Sequence, residues 1–405
     1  MSGTYDIAAF RAGFPALAQG TAHFDGPGGT QTPSAVARAV ADALTSPIAN
    51  RGRVTAAERT ADGIVLAARA AMADLLGADP SGIVFGRSMT ALTFDLTRTL
   101  AAGWGPGDEI VVTRLDHDAN VRPWVLAAQR AGATVRWAPF DPATGELAVE
   151  DVTALLSERT RWVAVTASSN LLGTRPEVRA IADAAHAVGA FCFVDGVHFT
   201  AHCPVDVGAL GADVYACSPY KFFGPHCGVL SAAPGWWKQW SPDKLLPSSN
   251  AVPERFELGT LPYELLAGTT AAVEVIAGLA GEVAGDRRTR IGAAMAAVET
   301  HESRLHARLE AALDDIPGMT RRSRARRRTP TTLLTFADRP AEAAYEFLAA
   351  RGVNAPAGSF YAIEASRWLG LGDTGGLRVG LAPYTDDDDV DRLITGLQEF
   401  AATTA

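Results

Sequence analysis

Short apolar runs recur along the first two-thirds of the chain. Each ends in a polar loop, and apolar residues at helical spacing follow. Residues 83–86, 109–113, 162–166, 191–194 and 214–217 read as strands, and a further strand leaves through Gly228. Helical spacing covers 56–76, 90–101, 122–131, 149–157, 177–188 and 262–280. Strands that alternate with helices in this way predict an α/β fold with a mostly parallel sheet covered on both faces. Beyond about 280 the pattern changes. A long helix over 286–314 precedes a strand at 331–336, a helix at 340–351 and a short segment at 377–381. The last helix opens on the acids 386–389, well placed against its dipole. The expected organisation is a lead-in, 1–20, packed with the smaller domain; a large domain, 21–280; and a small α+β domain, 281–405. No repeat or low-complexity linker is present.

In such sheets ligands sit outside the carboxyl ends of the strands. Here those ends are chemically rich. Ser88-Met89-Thr90 turns from strand to helix and puts backbone N–H groups and hydroxyls at a positive helix end, a seat for phosphate. By itself it is also an ordinary N-cap. His117 follows the second strand, Asn170 the third, Asp195 and His198 the fourth, and Ser218, Tyr220 and Lys221 the fifth. Singly, these are common turn and cap residues; together they mark one edge. The acid Asp195 and the amine Lys221 at neighbouring strand ends suit pyridoxal phosphate. The lysine would form the Schiff base, and the acid would keep the pyridine nitrogen protonated.

Other stretches are less specific. The Gly- and Pro-rich residues 23–33 read as a turn before a helix. Asn50-Arg51-Gly52-Arg53 is a polar loop, and 234–247 an irregular aromatic one. The arginine-rich 321–328 reads as a solvated loop rather than an anion patch.

Composition narrows the classes. Apolar residues make up 48% and charged residues 20%, ordinary for a globular enzyme. A net charge of -9 argues against a general nucleic-acid binder. No stretch is long and apolar enough for a membrane helix, and the start has no secretory pattern. The four cysteines, Cys192, Cys203, Cys217 and Cys227, match no zinc spacing and read as buried thiols of a cytoplasmic protein.

Taken in order, the motifs resemble class V aminotransferases, in the cysteine desulfurase-like branch of fold-type I pyridoxal-phosphate enzymes. The likeness runs from about 22 to 400. It rests on Phe24-Asp-Gly-Pro-Gly28, Asn50-Arg-Gly52, Asp116-His-Asp-Ala-Asn120, Ser169-Asn-Leu-Leu-Gly173, Val194-Asp-Gly-Val-His198, Pro204-Val-Asp-Val207, Ser218-Pro-Tyr-Lys221, Phe256-Glu-Leu-Gly-Thr260 and Arg378. The resemblance implies that Lys221 holds the cofactor, Asp195 faces its ring nitrogen and His117 stacks over the ring. Asn170 and His198 would neighbour the ring, while Ser88, Met89, Thr90, Ser218 and Tyr220 would serve the phosphate. Thr260 would reach a partner subunit's phosphate site, implying a homodimer with shared sites. Arg378 would hold the substrate's α-carboxylate, with Asn50, Arg51, Ser359 and Tyr361 also on the substrate side.

This chain departs from that family in one consequential place. Cysteine desulfurases carry a nucleophilic cysteine in the small-domain loop, whereas here Gly358-Ser-Phe-Tyr361 stands and no cysteine follows Cys227. The expected activity is therefore a C–S lyase that works on an amino acid without the persulfide cysteine. Transamination and epimerisation are alternatives within the same chemistry, and a non-catalytic binding protein is an alternative from another class. A nicotinamide dehydrogenase lacks its Gly-x-Gly-x-x-Gly turn.

Overall fold

The computed structural model describes residues 5–281 and 283–403. Numbered in chain order, its strands are β1 (Ala22–His23), β2 (Ile83–Gly86), β3 (Glu109–Thr113), β4 (Thr134–Ala138), β5 (Thr160–Thr166), β6 (Phe191–Asp195), β7 (Val214–Cys217), β8 (Gly228–Ala232), β9 (Met319–Arg321), β10 (Thr331–Phe336), β11 (Val353–Asn354), β12 (Ala357–Gly358) and β13 (Gly376–Gly380). Seven of them form one sheet in the order β2-β8-β7-β6-β5-β3-β4. Strand β8 is antiparallel to both its neighbours, and the remaining pairs are parallel.

The alternation of side chains along these strands makes two cores rather than one. Val111, Val163, Cys192, Val194 and Tyr215 point into the first, against the helices Ala56–Leu76, Val178–Ala187 and Tyr263–Ala277. Ile110, Val112, Trp162, Phe193 and Val214 point into the second, against Met89–Ala101 and Arg122–Ala131. Burial on both faces is why these strands read as continuous apolar runs. Edge strand β4 alternates exposed and half-buried positions and was not among the expected strands. The expected helix over 149–157 shortens to Val149–Thr153.

A second sheet, β12-β13-β10-β9, carries its own core with the helices Arg287–Leu313, Ala341–Ala349 and Asp387–Ala402. Strand β1 joins this part of the molecule by pairing in parallel with β11. The lead-in reaches it too, since Arg11 pairs with Asp386 at 2.9 Å and Asp389 at 2.6 Å. Half of the arginines in the 321–328 run are ion-paired within the chain. Arg321 and Arg328 meet Glu310 at 2.8 and 2.6 Å, and Arg327 meets Glu177. Trp236 and Trp237 are buried, and Trp237 Nε1 donates to the Gly82 carbonyl at 2.9 Å. Among the described residues, no helix is long and apolar enough to cross a membrane.

Candidate active site

The carboxyl ends of β2, β3, β5, β6 and β7 surround a cavity of about 490 Å³. Ser88, Met89, Thr90, His117, Asn170, Asp195, His198, Ser218, Tyr220, Lys221, Tyr361 and Arg378 all line it. Sequence-legible chemistry is thus gathered at one place by the parallel topology.

Lys221 sits in a one-turn segment after β7, and its Nζ donates to the Pro27 carbonyl. The glycine-rich turn 26–30, which composition alone left as a plain turn, is therefore a wall of the site. Thr30 clamps the lysine loop: its N–H donates to the Tyr220 carbonyl at 3.1 Å, and its Oγ1 accepts from Phe223 N–H at 2.8 Å. Burial pushes the Lys221 amine down to about 7, the nearby charge of Arg378 acts the same way, and Asp195 opposes both. A substantial neutral fraction at neutral pH makes this lysine a nucleophile and a base.

Asp195 ends β6 and is 4% exposed. Burial raises its carboxyl to about 6, against a hydrogen bond from Val197 N–H at 2.9 Å and the charge of Lys221. It remains mostly ionised at pH 7. Asp116, near enough to feel the charge of Asp195, is raised to about 8, mainly by burial. That residue carried no expectation beyond its motif. Its role is visible only from its burial and its bonds to Thr113 and Asn120.

His117 accepts the Ala119 N–H on Nδ1 at 3.0 Å, so its neutral ring carries the proton on Nε2. Burial drives it down to about 4, with Lys221 and Arg378 adding to the effect. His198 is held by the Thr329 and Thr331 hydroxyls at 2.9 and 3.1 Å, and burial keeps it neutral. Tyr220 stacks on His226 with ring centroids 4.6 Å apart, and burial raises its phenol.

Ser88 caps the helix Met89–Ala101 through the Ala91 N–H at 3.1 Å. The N–H groups of Met89 and Thr90 open that helix and have no intrahelical acceptor. Strand β8 passes directly beneath: a Cβ on Gly228 would stand 2.2 Å from the Met89 nitrogen. The cap reading of this turn holds, and the turn also lines the cavity, where its free amides leave the anion-seat reading open.

Arg378, on β13, donates to the Asn170 carbonyl at 3.1 Å and stacks on Phe360 at 3.7 Å. Burial lowers it to about 9. Its Nε and the Asn170 Oδ1 are buried without a hydrogen-bond partner in the protein. Buried polar atoms left in that state call for a ligand. A ring with a polar substituent and a carboxylate-bearing substrate would supply one, so the residues fit pyridoxal phosphate and an amino acid.

Not every expected residue reaches this cavity. Asn50 is exposed and does not line it, and Thr260, expected at a partner subunit's site instead, is exposed as well. Arg51 is committed to Asp62 at 2.9 Å and Glu254 at 3.2 Å. Ser359 does not line it, whereas its neighbour Phe360 does. Phe360 was missed because an aromatic residue in a loop carries no chemical signature.

The Aminotransferase class-V family model matches residues 22–393. The chain is 33% identical to an uncharacterized protein of Mycobacterium tuberculosis over 97% of this chain and 98% of that one. It is 31% identical to a cysteine desulfurase of Dickeya dadantii over 98% and 97% of the two chains. Among solved structures, the cysteine desulfurase CsdA of Escherichia coli in its S-sulfonic acid form superposes with a TM-score of 0.85 at 28% identity, covering 98% of each chain. With the strand-end lysine and acid in a fold-type I architecture, these matches show that the chain belongs to the class V aminotransferase family, as a pyridoxal-phosphate-dependent enzyme of its cysteine desulfurase-like branch.

Proposed function

We propose that this enzyme is a C–S lyase that eliminates sulfur from the β-carbon of an amino acid and releases it directly, without a protein persulfide. The observation that carries the reading is the placement of the thiols. All four cysteines are free and buried, and none lines the cavity. Burial raises every one of them, Cys227 to about 11 and Cys203 to about 12. Such thiols are poor nucleophiles at neutral pH.

Pyridoxal phosphate, when bound, supplies the electron sink. The protein would do the rest. Lys221 would hold the cofactor and, once freed by substrate, move the proton from the substrate's Cα. Asp195 would keep the ring nitrogen protonated, His117 would cover the ring face, and Asn170 and His198 would flank it. Ser88, Met89, Thr90, Ser218 and Tyr220 would hold the phosphate. The Arg378 guanidinium would orient the α-carboxylate through the edge that bears Nε. Exposed Thr260 and Asn50, with Arg51, would complete a partner subunit's cavity in a homodimer. We divide the chain into a lead-in, 1–20, a large domain, 21–280, and a small domain, 281–405. The four unpaired cysteines suit a reducing, cytoplasmic setting.

The test is to incubate the purified holoenzyme with L-cysteine and its thioethers and assay sulfide, thiol, pyruvate, ammonia and alanine. Pyruvate and ammonia in step with the sulfur product are expected. Conversion of the cofactor to its pyridoxamine form without sulfur release would replace this reading with transamination.

A further inference from the structure

The loop between β12 and the helix Ile363–Trp368 has unusual backbone. Phe360 and Tyr361 hold φ of 51° and 58° in succession. Non-glycine residues rarely adopt this region, and it persists only where the surroundings enforce it. Two hydrogen bonds enforce it here. The Phe360 carbonyl accepts from Asn170 Nδ2 at 3.0 Å, and the Tyr361 carbonyl accepts from Asp118 N–H at 2.7 Å. The helix that follows is anchored as well. Glu364 pairs with Arg114 at 2.9 Å, and Trp368 Nε1 donates to the Phe140 carbonyl at 2.8 Å. The loop is thus fastened to the ends of β3 and β5, and both aromatic rings become walls of the cavity.

The two rings do different work. Phe360 covers one face of the Arg378 guanidinium at 3.7 Å. That confines a carboxylate to the edge of Arg378 and so orients the substrate. The ring of Tyr361 lies 5.6 Å from that of His117, yet Tyr361 is 77% exposed. Phe94 and Val197 extend the apolar lining. The charges nearby cancel: Arg122 pairs with Asp118 at 3.0 Å and approaches Glu364 at 3.6 Å. Beyond its sulfur, free cysteine has no apolar group to set against the Phe94, Val197 and Tyr361 lining. An uncharged, flat or extended group on that sulfur would supply one.

We propose that Phe360 and Tyr361 form a subsite for the substituent on the substrate's leaving sulfur, selecting S-substituted cysteines with aromatic or extended apolar groups over free cysteine. This rests on the C–S lyase reading. The reaction balances as R–S–CH2–CH(NH3+)–COO⁻ plus water giving RSH, pyruvate and ammonium. The Cα–H and Cβ–S bonds break, the sulfur leaves with the bonding pair and takes a proton, and water hydrolyses the remaining enamine. No oxidant or reductant is required.

The test compares S-benzyl-L-cysteine, S-methyl-L-cysteine and L-cysteine on the holoenzyme and on its Tyr361→Ala and Tyr361→Phe variants. Tyr361 lies at the surface, so neither change disturbs a core. Thiol and pyruvate release yield kcat/KM, and titration of the bound chromophore yields affinity. The wild type should favour the benzyl over the methyl thioether by roughly tenfold or more. Tyr361→Ala should bring that ratio close to one, and Tyr361→Phe should keep it. An unchanged ratio in Tyr361→Ala, or a wild type that favours free cysteine, overturns the subsite. Release of thiol without discrimination keeps the lyase and removes the subsite. Discriminating affinity with no thiol from any compound keeps the subsite and removes the lyase.

Discussion

One side of the cavity is the carboxyl edge of the seven-stranded sheet, where Asp195 and Ser218 are 4% and 3% exposed. The other is a loop brought from the second sheet, where Tyr361 is 77% exposed and successive aromatic residues hold positive φ. The first side carries the shifted titrations of Lys221, Asp195 and His117, each caused mainly by burial. The second carries no cysteine, and its backbone is tied down by Asn170 and Asp118. In the proposed reading, reaction chemistry is embedded where the parallel sheet buries its strand ends, while selectivity lies on a connection that can change without unfolding a core.

Changes on the sheet side should therefore dominate turnover. Replacing Lys221 by Ala should cut kcat by on the order of 10³-fold or more and abolish the absorbance of the attached cofactor. Residual activity within tenfold of wild type would mean that another group moves the Cα proton. Arg378 bridges both sides. Its replacement by Ala should raise KM for an amino acid by roughly 10- to 100-fold, the worth of a charge-assisted carboxylate contact. An equal loss confined to kcat would instead place Arg378 with the reacting groups.

The pH dependence of cofactor uptake tests the sheet side directly. Burial lowers Lys221 to about 7, so the neutral amine gains ground as pH rises through that value. Uptake of pyridoxal phosphate by apo-protein should speed up by about tenfold between pH 6 and 8 and then level off. A rise continuing towards pH 10 would show an unperturbed lysine. A smaller effect is expected for Gly228→Ala, which forces a Cβ against the Met89 nitrogen. It should cost about 1–3 kcal/mol in thermal or denaturant unfolding and weaken phosphate binding. The smallest effect is expected from alkylation of the folded enzyme at neutral pH, which should label none of the four buried cysteines and leave turnover intact. Labelling that tracks loss of sulfur release would restore a thiol relay.

The alternation of short apolar runs with helices was sufficient to read β2, β3, β5, β6, β7 and β8, because strands buried on both faces are apolar throughout. Strand β4 escaped, since an edge strand exposes alternate residues. The strands β1, β11 and β12, two residues each, exist only as tertiary pairings, and no periodicity fits in so short a segment. The same division holds within the site. Asp195, His117, Asn170 and Lys221 were legible because each ends a strand in a polar loop, and the topology of a parallel sheet gathers such ends.

What the linear order of residues determined by itself was the fold class, the edge where chemistry collects and the absence of a cysteine after Cys227. Only the tertiary structure decided that the turn at Pro27 and Gly28 walls in Lys221, that Asp116 is buried within reach of the charge of Asp195, and that Phe360 covers Arg378. The physical reason is range. Periodicity and turn chemistry act within a few residues, whereas desolvation and ring contacts depend on groups that the fold brings together from separate elements, as far as 194 positions apart for Lys221 and Pro27.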